Sequence, residues 1–414
     1  MSNILDGASS DWLAEFVGSP SGAGIRVTYR NALQVAPVWR IVVGLARDVA
    51  RLPVKVYRKS DNGSRIQVDD HPVSYLLRRR PNPEMTPLDL KSALVFNAVL
   101  HGNGFIYIRR LPNGQPVELW PVESPLVSIE RDSEGQLVYR VTLRSSAMSG
   151  VTPGRLVVAA QDMVHVKSVT SDGLQGIPFY RVAKNDIAMM LAIQRFSLVF
   201  FRNYARPGMA VILKRALNEQ AMRQLRESFE RSYTGENAHR VAVLQGDADI
   251  KTFSINAREA ELSDLVIQTM RNIASFGCVP THLVGDPART SYSSLEQESL
   301  NYLHQSLDYW LCAIEQEFNS KLLSDSERDL FIEFERSAAV RMDLEGRFRA
   351  YQVGIQSGFL TRNEVRNREN LPPIPGGDRP FVPLNLAEGQ PVDSAPGSSL
   401  SDAPSGANSQ QSST

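Results

Sequence analysis

The chain has 414 residues, 42% of them hydrophobic, which suffices for two or three cores and excludes a chain that is disordered throughout. Its 45 basic residues balance 45 acidic ones, so no net field draws it to nucleic acid, anionic lipid or acidic substrates, and any such binding must be local. The two cysteines, Cys278 and Cys312, lie far apart without CxxC spacing, which argues against a disulfide framework or zinc module and predicts buried free thiols in a reducing compartment.

No basic region followed by an apolar core opens the chain, and no apolar run approaches the ~18 residues of a membrane span, so a cytosolic site of synthesis and no membrane partner are expected. Residues 1–30 stay unassigned, with Trp12, Leu13, Phe16 and Val17 as a candidate short docking turn. From Pro37, the residues Trp39, Val42, Val43, Ala46 and Val49 predict a helix that stops before Pro53, followed by a strand from Val54. His71-Pro72 opens a helical piece ending in Arg78-Arg79-Arg80; the cations suit a helix C-terminus better than a phosphate site. Pro81-Asn82-Pro83 then turns the chain into a helix from Leu88 to Leu100.

Gly102-Asn103-Gly104 precedes the strand Phe105–Ile108, the reverse of the strand, glycines, helix order that a nucleotide loop needs. Short runs at Val117–Trp120, Val127–Glu130, Leu137–Leu143, Leu156–Val158 and Met163–Val166 predict an antiparallel meander. From Ile177 to Tyr204 the pattern is helical, with Met189, Ile193, Phe196, Phe200 and Tyr204 on one face; Val199 and Phe201 lie off that stripe, so the helix should pack on more than one neighbour. Residues 209–255 read as a small αβ insertion: strand Met209–Leu213, a helix from Asn218 through Met222, Leu225, Phe229 and Tyr233, and strands Val241–Leu244 and Ile250–Phe253.

A helix follows with Leu262, Val266, Met270 and Ile273 on one face, an Asn256/Glu259 capping pair at its start and Gly277 at its end. A loop from Val279 to Tyr292 leads into a long helix from about Ser293, striped by Leu303, Leu307, Trp310, Ile314, Phe318 and Leu322. A loop of this length between two well-formed helices is usually functional or disordered. A strand Leu330–Phe334, helices near Met342–Ser357 and Thr361–Glu369, the Pro-Gly stretch Leu371–Asp378 and a tail of disordered composition complete the chain.

The chemistry-bearing motifs are absent: no GxxxxGK[ST], HExxH or GxSxG occurs, and the six histidines are scattered without metal-ligand spacing. Asp247 and Asp249 could face the same way as ligands, but a Gly246-Asp247 hairpin turn explains them better. No cofactor, metal or catalytic residue is assigned, and the chain is expected not to be an enzyme.

Four stretches together resemble the portal proteins of long-tailed phages, prophages and gene transfer agents, over about residues 35–380. They are Arg80-Pro81-Asn82 with Gly102-Asn103; Asp162-Met163-Val164-His165-Val166-Lys167 before Gly173 and Gly176; Val279-Pro280-Thr281-His282-Leu283-Val284-Gly285 with Tyr292-Ser293-Ser294-Leu295-Glu296-Gln297; and Gly358 to Arg366 with Leu371-Pro372-Pro373 and Gly376-Gly377-Asp378. Gly104, where alanine is common, and Thr281, where a second proline is common, depart from the pattern.

The resemblance implies an α+β, portal-like subunit: a mixed α/β wing (31–177, with the long helix and strand of 293–339), a helical stem (178–206 and 256–278), a small αβ clip (207–255), a tunnel loop (279–292) and a helical crown (340–380), between an unassigned arm (1–30) and a disordered tail (381–414). It implies a homo-oligomeric ring, a dodecamer, at one capsid vertex of the virion, assembled in the host cytoplasm. Its partners would be the large terminase, a head-tail adaptor, the major capsid and scaffold proteins, and double-stranded DNA held non-specifically in the channel. The DNA-facing residues would be Gly285, Asp286, Pro287, Ala288, Arg289, Thr290, Ser291 and Tyr292, with Arg289 either touching phosphate or pairing with Asp286. The clip would offer Arg223, Arg226, Glu227, Glu230 and Arg231 to the terminase or adaptor. A non-portal head component and a metal-dependent DNA-processing enzyme are the alternatives.

Overall fold

The computed structural model describes residues 19–22, 24–60, 65–143, 154–202, 209–213, 219–220, 222–224, 248–252, 256–286, 300–324, 326–336, 344–369 and 371–380. The chain divides into two compact units, residues 1–340 and 341–414.

The first unit is built on a pair of helices, α1 (Ala36–Ala50) and α3 (Pro87–His101). Pro37 stands in the first turn of α1, and Val38, Ile41, Val42, Leu45, Ala46 and Val49 bury its inner face. Trp39 and Val43, read from sequence as part of that face, instead lie on the outer side, Trp39 half exposed. Between these helices run strands β1 (Val54–Lys59) and β2 (Arg65–Gln67) and helix α2 (Pro72–Arg78), capped by the His71 ring, whose Nδ1 accepts from Val73 N–H at 3.2 Å. Thr86 and Asp89 form a capping box at the start of α3.

Strands β3 (Asn103–Arg110) and β4 (Pro116–Val122) follow as a hairpin, then β5 (Val127–Arg131), β6 (Leu137–Leu143), β7 (Gly154–Ala159) and β8 (Met163–Lys167). All pair antiparallel, but not as one meander: β5, β6 and β7 make one sheet, whereas β8 returns to pair with β3, Val164 opposite Ile106. The β8–β3–β4 sheet is a wall with a core on each side. Ile106, Ile108, Leu119, Val164 and Val166 join the helical core; Phe105, Trp120, Val122 and Met163 face the second sheet, against Tyr139, Val141, Leu143 and Val158. The period-2 alternation of strand side chains makes this possible.

Close backbone approach fixes the wall to its helix. A Cβ on Gly104 would stand 2.4 Å from the Leu94 carbonyl oxygen, and one on Gly176 would stand 1.9 Å from that of Gly102. Asn103 links the same strands: its Oδ1 accepts from Gly176 N–H and from His165 Nε2, both at 2.9 Å. Because that oxygen can only accept, Nε2 carries the imidazole proton and Nδ1 accepts from the Tyr139 hydroxyl at 3.1 Å. Burial, aided by Lys167 and Lys321, pushes His165 down to about 3, so the ring is neutral.

Past the one-turn helix Phe179–Val182 come α4 (Lys184–Arg202), the paired strands β9 (Met209–Leu213) and β10 (Ala248–Thr252), and α5 (Asn256–Phe276). Asn256 is the first helical residue of α5 rather than its cap. On α4 the buried residues are Ile187, Ala188 and Met190, while Met189 and Phe196 of the expected stripe, with Leu198 and Val199, are exposed. This helix is apolar on more than one side, and a single chain covers only one.

The long helix is described from Leu300. It opens through a π turn, Leu303–Leu307, into α6 (Asp308–Leu322). The wider turn hands the buried stripe from Leu303 and Leu307 to Leu311, Ile314, Phe318 and Leu322, leaving Trp310 partly buried. From this helix, side chains reach two sheet edges. Asn319 Oδ1 accepts from Ile332 N–H at 2.7 Å and its Nδ2 donates to Ile332 O at 2.9 Å; Glu315 accepts from Phe334 N–H at 2.7 Å. These satisfy strand β11 (Leu330–Phe334), whose other edge pairs with β1. Glu317 does the same for β8, accepting from His165 N–H at 3.1 Å. Side-chain amides and carboxylates here replace the missing neighbour strand.

The second unit holds α7 (Leu344–Gln356) and α8 (Arg362–Arg368). Thr361 and Glu364 cap α8, and the Asn363 side chain both accepts from Ile374 N–H and donates to Ile374 O. Gly377 lies so close that a Cβ would stand 2.3 Å from Asn363 Oδ1, which accounts for glycine there.

Candidate functional site

The candidate site is the root of the loop between α5 and the long helix. The face of α5 with Val266, Met270 and Ile273 packs on the main core, and Asn272 Nδ2 donates to Asp186 on α4 at 2.9 Å. The helix ends in a Schellman motif: Val279 N–H donates to Ala274 O and Cys278 N–H to Ser275 O, both at 3.1 Å. The left-handed residue is Cys278, with φ 51°, and not Gly277. Gly277 is required by packing, since a Cβ there would stand 2.9 Å from Ile41 Cγ2. Cys278 is therefore exposed and Cys312 half buried, which corrects the expectation of two buried thiols.

Beyond Pro280 a single 3-10 turn, Thr281–Val284, buries Val284 and closes on Gly285, whose φ of 98° favours glycine. Asp286 N–H returns to Thr281 O at 3.3 Å. The Asp286 carboxylate, its side chain 3% exposed, is held by both arms of the half-exposed Arg271, Nε at 2.7 Å and Nη2 at 3.2 Å. That carboxylate raises the Arg271 pKa. On the far side of the loop the Ser306 hydroxyl, in the π turn, donates to the Cys278 carbonyl, and Tyr302 Oη donates to Asp48 of α1 at 2.9 Å. The start of the loop and the described start of the long helix thus share one scaffold made of α1, the end of α5 and the π turn.

Of the proposed DNA-facing residues, Gly285 and Asp286 belong to this root; Pro287, Ala288, Arg289, Thr290, Ser291 and Tyr292 lie outside the described residues. Asp286 is engaged by Arg271, a partner that sequence reading missed because the two are fifteen positions apart on different elements. In the predicted clip, Arg223 is exposed on a helical segment and 3.7 Å from Glu219, while Arg226, Glu227, Glu230 and Arg231 lie outside the described residues, as does the strand Val241–Leu244. Asp249 sits on β10 opposite Ile212, and Asp247 is outside the described residues. Among the described residues no group of three or more His, Cys, Asp or Glu is placed to hold a metal ion, and no helix is long and apolar enough to cross a membrane. Of the three arginines at the end of α2, Arg78 pairs with Asp69 and Arg80 donates to Pro83 O at 2.8 Å.

The residues at these positions match known proteins over most of the chain. The sequence model of the phage portal protein family matches residues 36–370. The chain belongs to that family. Among curated relatives, the probable portal protein of Streptomyces phage phiC31 is 28% identical over 384 residues, covering 90% of this chain and 82% of that protein. The portal protein of Enterobacteria phage HK97 is 27% identical over 365 residues, covering 87% and 83%. A chain from the neck of a native gene transfer agent particle, solved with C12 symmetry, shares the fold with a TM-score of 0.54 at 20% identity, covering 89% of this chain and 99% of that one.

Membership gives the glycine and asparagine motifs a physical meaning in this portal-family chain. Asn82 donates to Leu119 O at 2.8 Å and accepts from Glu84 N–H, Gly102 and Gly176 let two backbones cross, and Asn363 with Gly377 ties the C-terminal turn. These residues hold the scaffold.

Proposed function

We propose that the chain closes with copies of itself into a ring at one capsid vertex, through which double-stranded DNA is packaged and later ejected. The observation that carries the reading is the family match across residues 36–370. The dodecameric symmetry of the gene transfer agent neck supports the subunit number. A head-to-tail contact that repeats with a closing rotation gives a ring. The exposed apolar residues Phe196, Leu198 and Val199 of α4 suit burial against a neighbouring copy. The role is structural rather than catalytic, and it belongs in the virion after assembly in the host cytoplasm.

In this reading residues 31–177 and 293–339 form the wing, 178–206 and 256–278 the stem, 207–255 the clip and 340–380 the crown. Residues 285–292 line the narrowest part of the channel, held by the Arg271–Asp286 pair at its root. A ring multiplies every lumenal cation by its copy number, and each neutralised phosphate releases counterions, so a strongly basic lumen would grip DNA rather than pass it. Net neutrality of the chain fits a conduit. Arg289 touches phosphate in passing, and the clip helix carrying Arg223, Arg226, Glu227, Glu230 and Arg231 meets the terminase or the head-tail adaptor. Capsid and scaffold proteins complete the set of partners.

Negative-stain imaging of the purified chain, with its mass in solution, tests the ring. Closed rings with a central hole are expected; a chain that stays single with capsid and scaffold protein present would overturn the reading. Arg289→Ala rings that package DNA at the wild-type rate would remove the phosphate contact. Charge reversal at Glu227 and Glu230 should weaken adaptor binding while rings persist, and unchanged binding would remove the clip assignment.

A further inference from the structure

The outer face of α1 carries a cleft beside the root of the loop between α5 and the long helix. It has a volume of about 290 Å³; its lining includes Trp39, Arg40, Val43, Arg47 and Leu283, and also Asp48, whose carboxylate is engaged by Tyr302 and Arg51. Trp39 is 50% exposed, and Arg40 and Arg47 are exposed with no carboxylate partner among the described residues. Positions 39/40, 43 and 47 recur at helical spacing, so aromatic, aliphatic and cationic groups share one face. Gly44 leaves bare backbone in that wall, with nothing within 4 Å of where its Cβ would stand. An indole, two guanidinium groups and an unfilled apolar floor are the chemistry of a site for a short acidic, aromatic peptide.

The chain carries such a peptide ahead of its described residues. Asp11-Trp12-Leu13-Ala14-Glu15-Phe16-Val17 places Trp12 and Phe16 four apart and Asp11 and Glu15 four apart, and residues 1–18 contain Asp6, Asp11 and Glu15 but no Lys or Arg. The described chain begins at Ser19, which pairs with Val27, and Gly22 N–H donates to Asn185 of α4 at 3.2 Å. Extended at about 3.3 Å per residue, the chain from Trp12 to Ser19 spans about 23 Å, enough to follow one side of a helix. We infer that residues 11–17 dock in the α1 cleft of the same copy, the aromatic residues against Trp39, Val43 and Leu283 and the carboxylates on Arg40 and Arg47. Because Leu283 and Tyr302 belong to the loop root, a docked arm would brace the pivot of the proposed tunnel loop from behind.

Hydrogen exchange of the full chain tests this without depending on ring formation. In wild type, both diluted to single chains and in rings, amides of residues 12–17 should exchange about tenfold or more slowly than in an unstructured peptide. In the double variant Arg40→Glu/Arg47→Glu that protection should vanish, and it should return when Asp11→Arg/Glu15→Arg is added, a rescue that a misfolded cleft would not allow. Free exchange of residues 12–17 in wild type, protection indifferent to the charge reversal, or protection present only in rings would each overturn the proposal, the last by assigning the arm to a neighbouring copy.

Discussion

Lys91 offers a test of how the main core is balanced. It sits on α3 with 6% of its surface exposed, donates to Leu52 O at 2.5 Å and lies 5.8 Å from the centre of the Phe334 ring, with no carboxylate partner among the described residues. Burial pushes its ammonium down to about 8 from 10.5. Between those two values the unfolded chain binds the proton and the folded chain does not, so stability rises with pH across that window. Below about 8 both states are protonated and the full cost of the buried charge is present. At 1.36 kcal/mol per pH unit the window is worth about 3 kcal/mol. Lys91→Met removes that cost, but it leaves the Leu52 carbonyl without its donor, a loss of about 1–3 kcal/mol. At pH 7 the variant should therefore range from equal in stability to about 2 kcal/mol more stable. The difference from wild type should shift by about 3 kcal/mol, to the wild type's advantage, by pH 10.5. Urea midpoints of both proteins measured from pH 7 to 10.5 give the difference directly, because other titrating groups cancel. A difference that stays constant across this range would refute the assignment of a depressed, uncompensated Lys91.

Three substitutions and one control probe the scaffold. Gly104→Ala, which drives a Cβ toward the Leu94 carbonyl, should cost about 3 kcal/mol or more in urea titration, whereas Gly114→Ala, with nothing within 4 Å but a φ of 85°, should cost only about 1 kcal/mol; equal losses would show that the helix yields. Asn319→Leu removes both bonds to Ile332 and should destabilise by about 2–4 kcal/mol, with faster amide exchange at Ile332; unchanged exchange would mean that water replaces the side chain at no cost. Cys278→Gly relieves a left-handed non-glycine whose side chain is exposed and should raise stability by about 1 kcal/mol; a lower melting temperature would mean that the thiol packs in a way its exposure does not show.

Sequence alone determined what repeats locally. The periods of 3.6 and 2 located α1, α3, α5, the long helix and nearly every described strand, because a buried face must recur with the backbone geometry that makes it. The portal motifs were legible for a related reason: Gly102, Gly176 and Gly377 stand where any Cβ would collide, and Asn82, Asn103 and Asn363 where a side chain must bond backbone. Only tertiary structure decided which apolar face is covered. Trp39 and Phe196 read as core by periodicity, yet both are exposed: α1 buries Val42, Ala46 and Val49 of its expected stripe but turns Trp39 outward, and α4 buries Ile187, Ala188 and Met190 instead, since a helix that is apolar on two sides gives no sequence signal of which side its own chain covers. Partnerships between distant positions were equally hidden: β8 leaves the meander for β3, Arg271 holds Asp286, and Cys278, not Gly277, takes the left-handed turn. Each of these is fixed by where two segments meet in space, and neither segment's own pattern records the other.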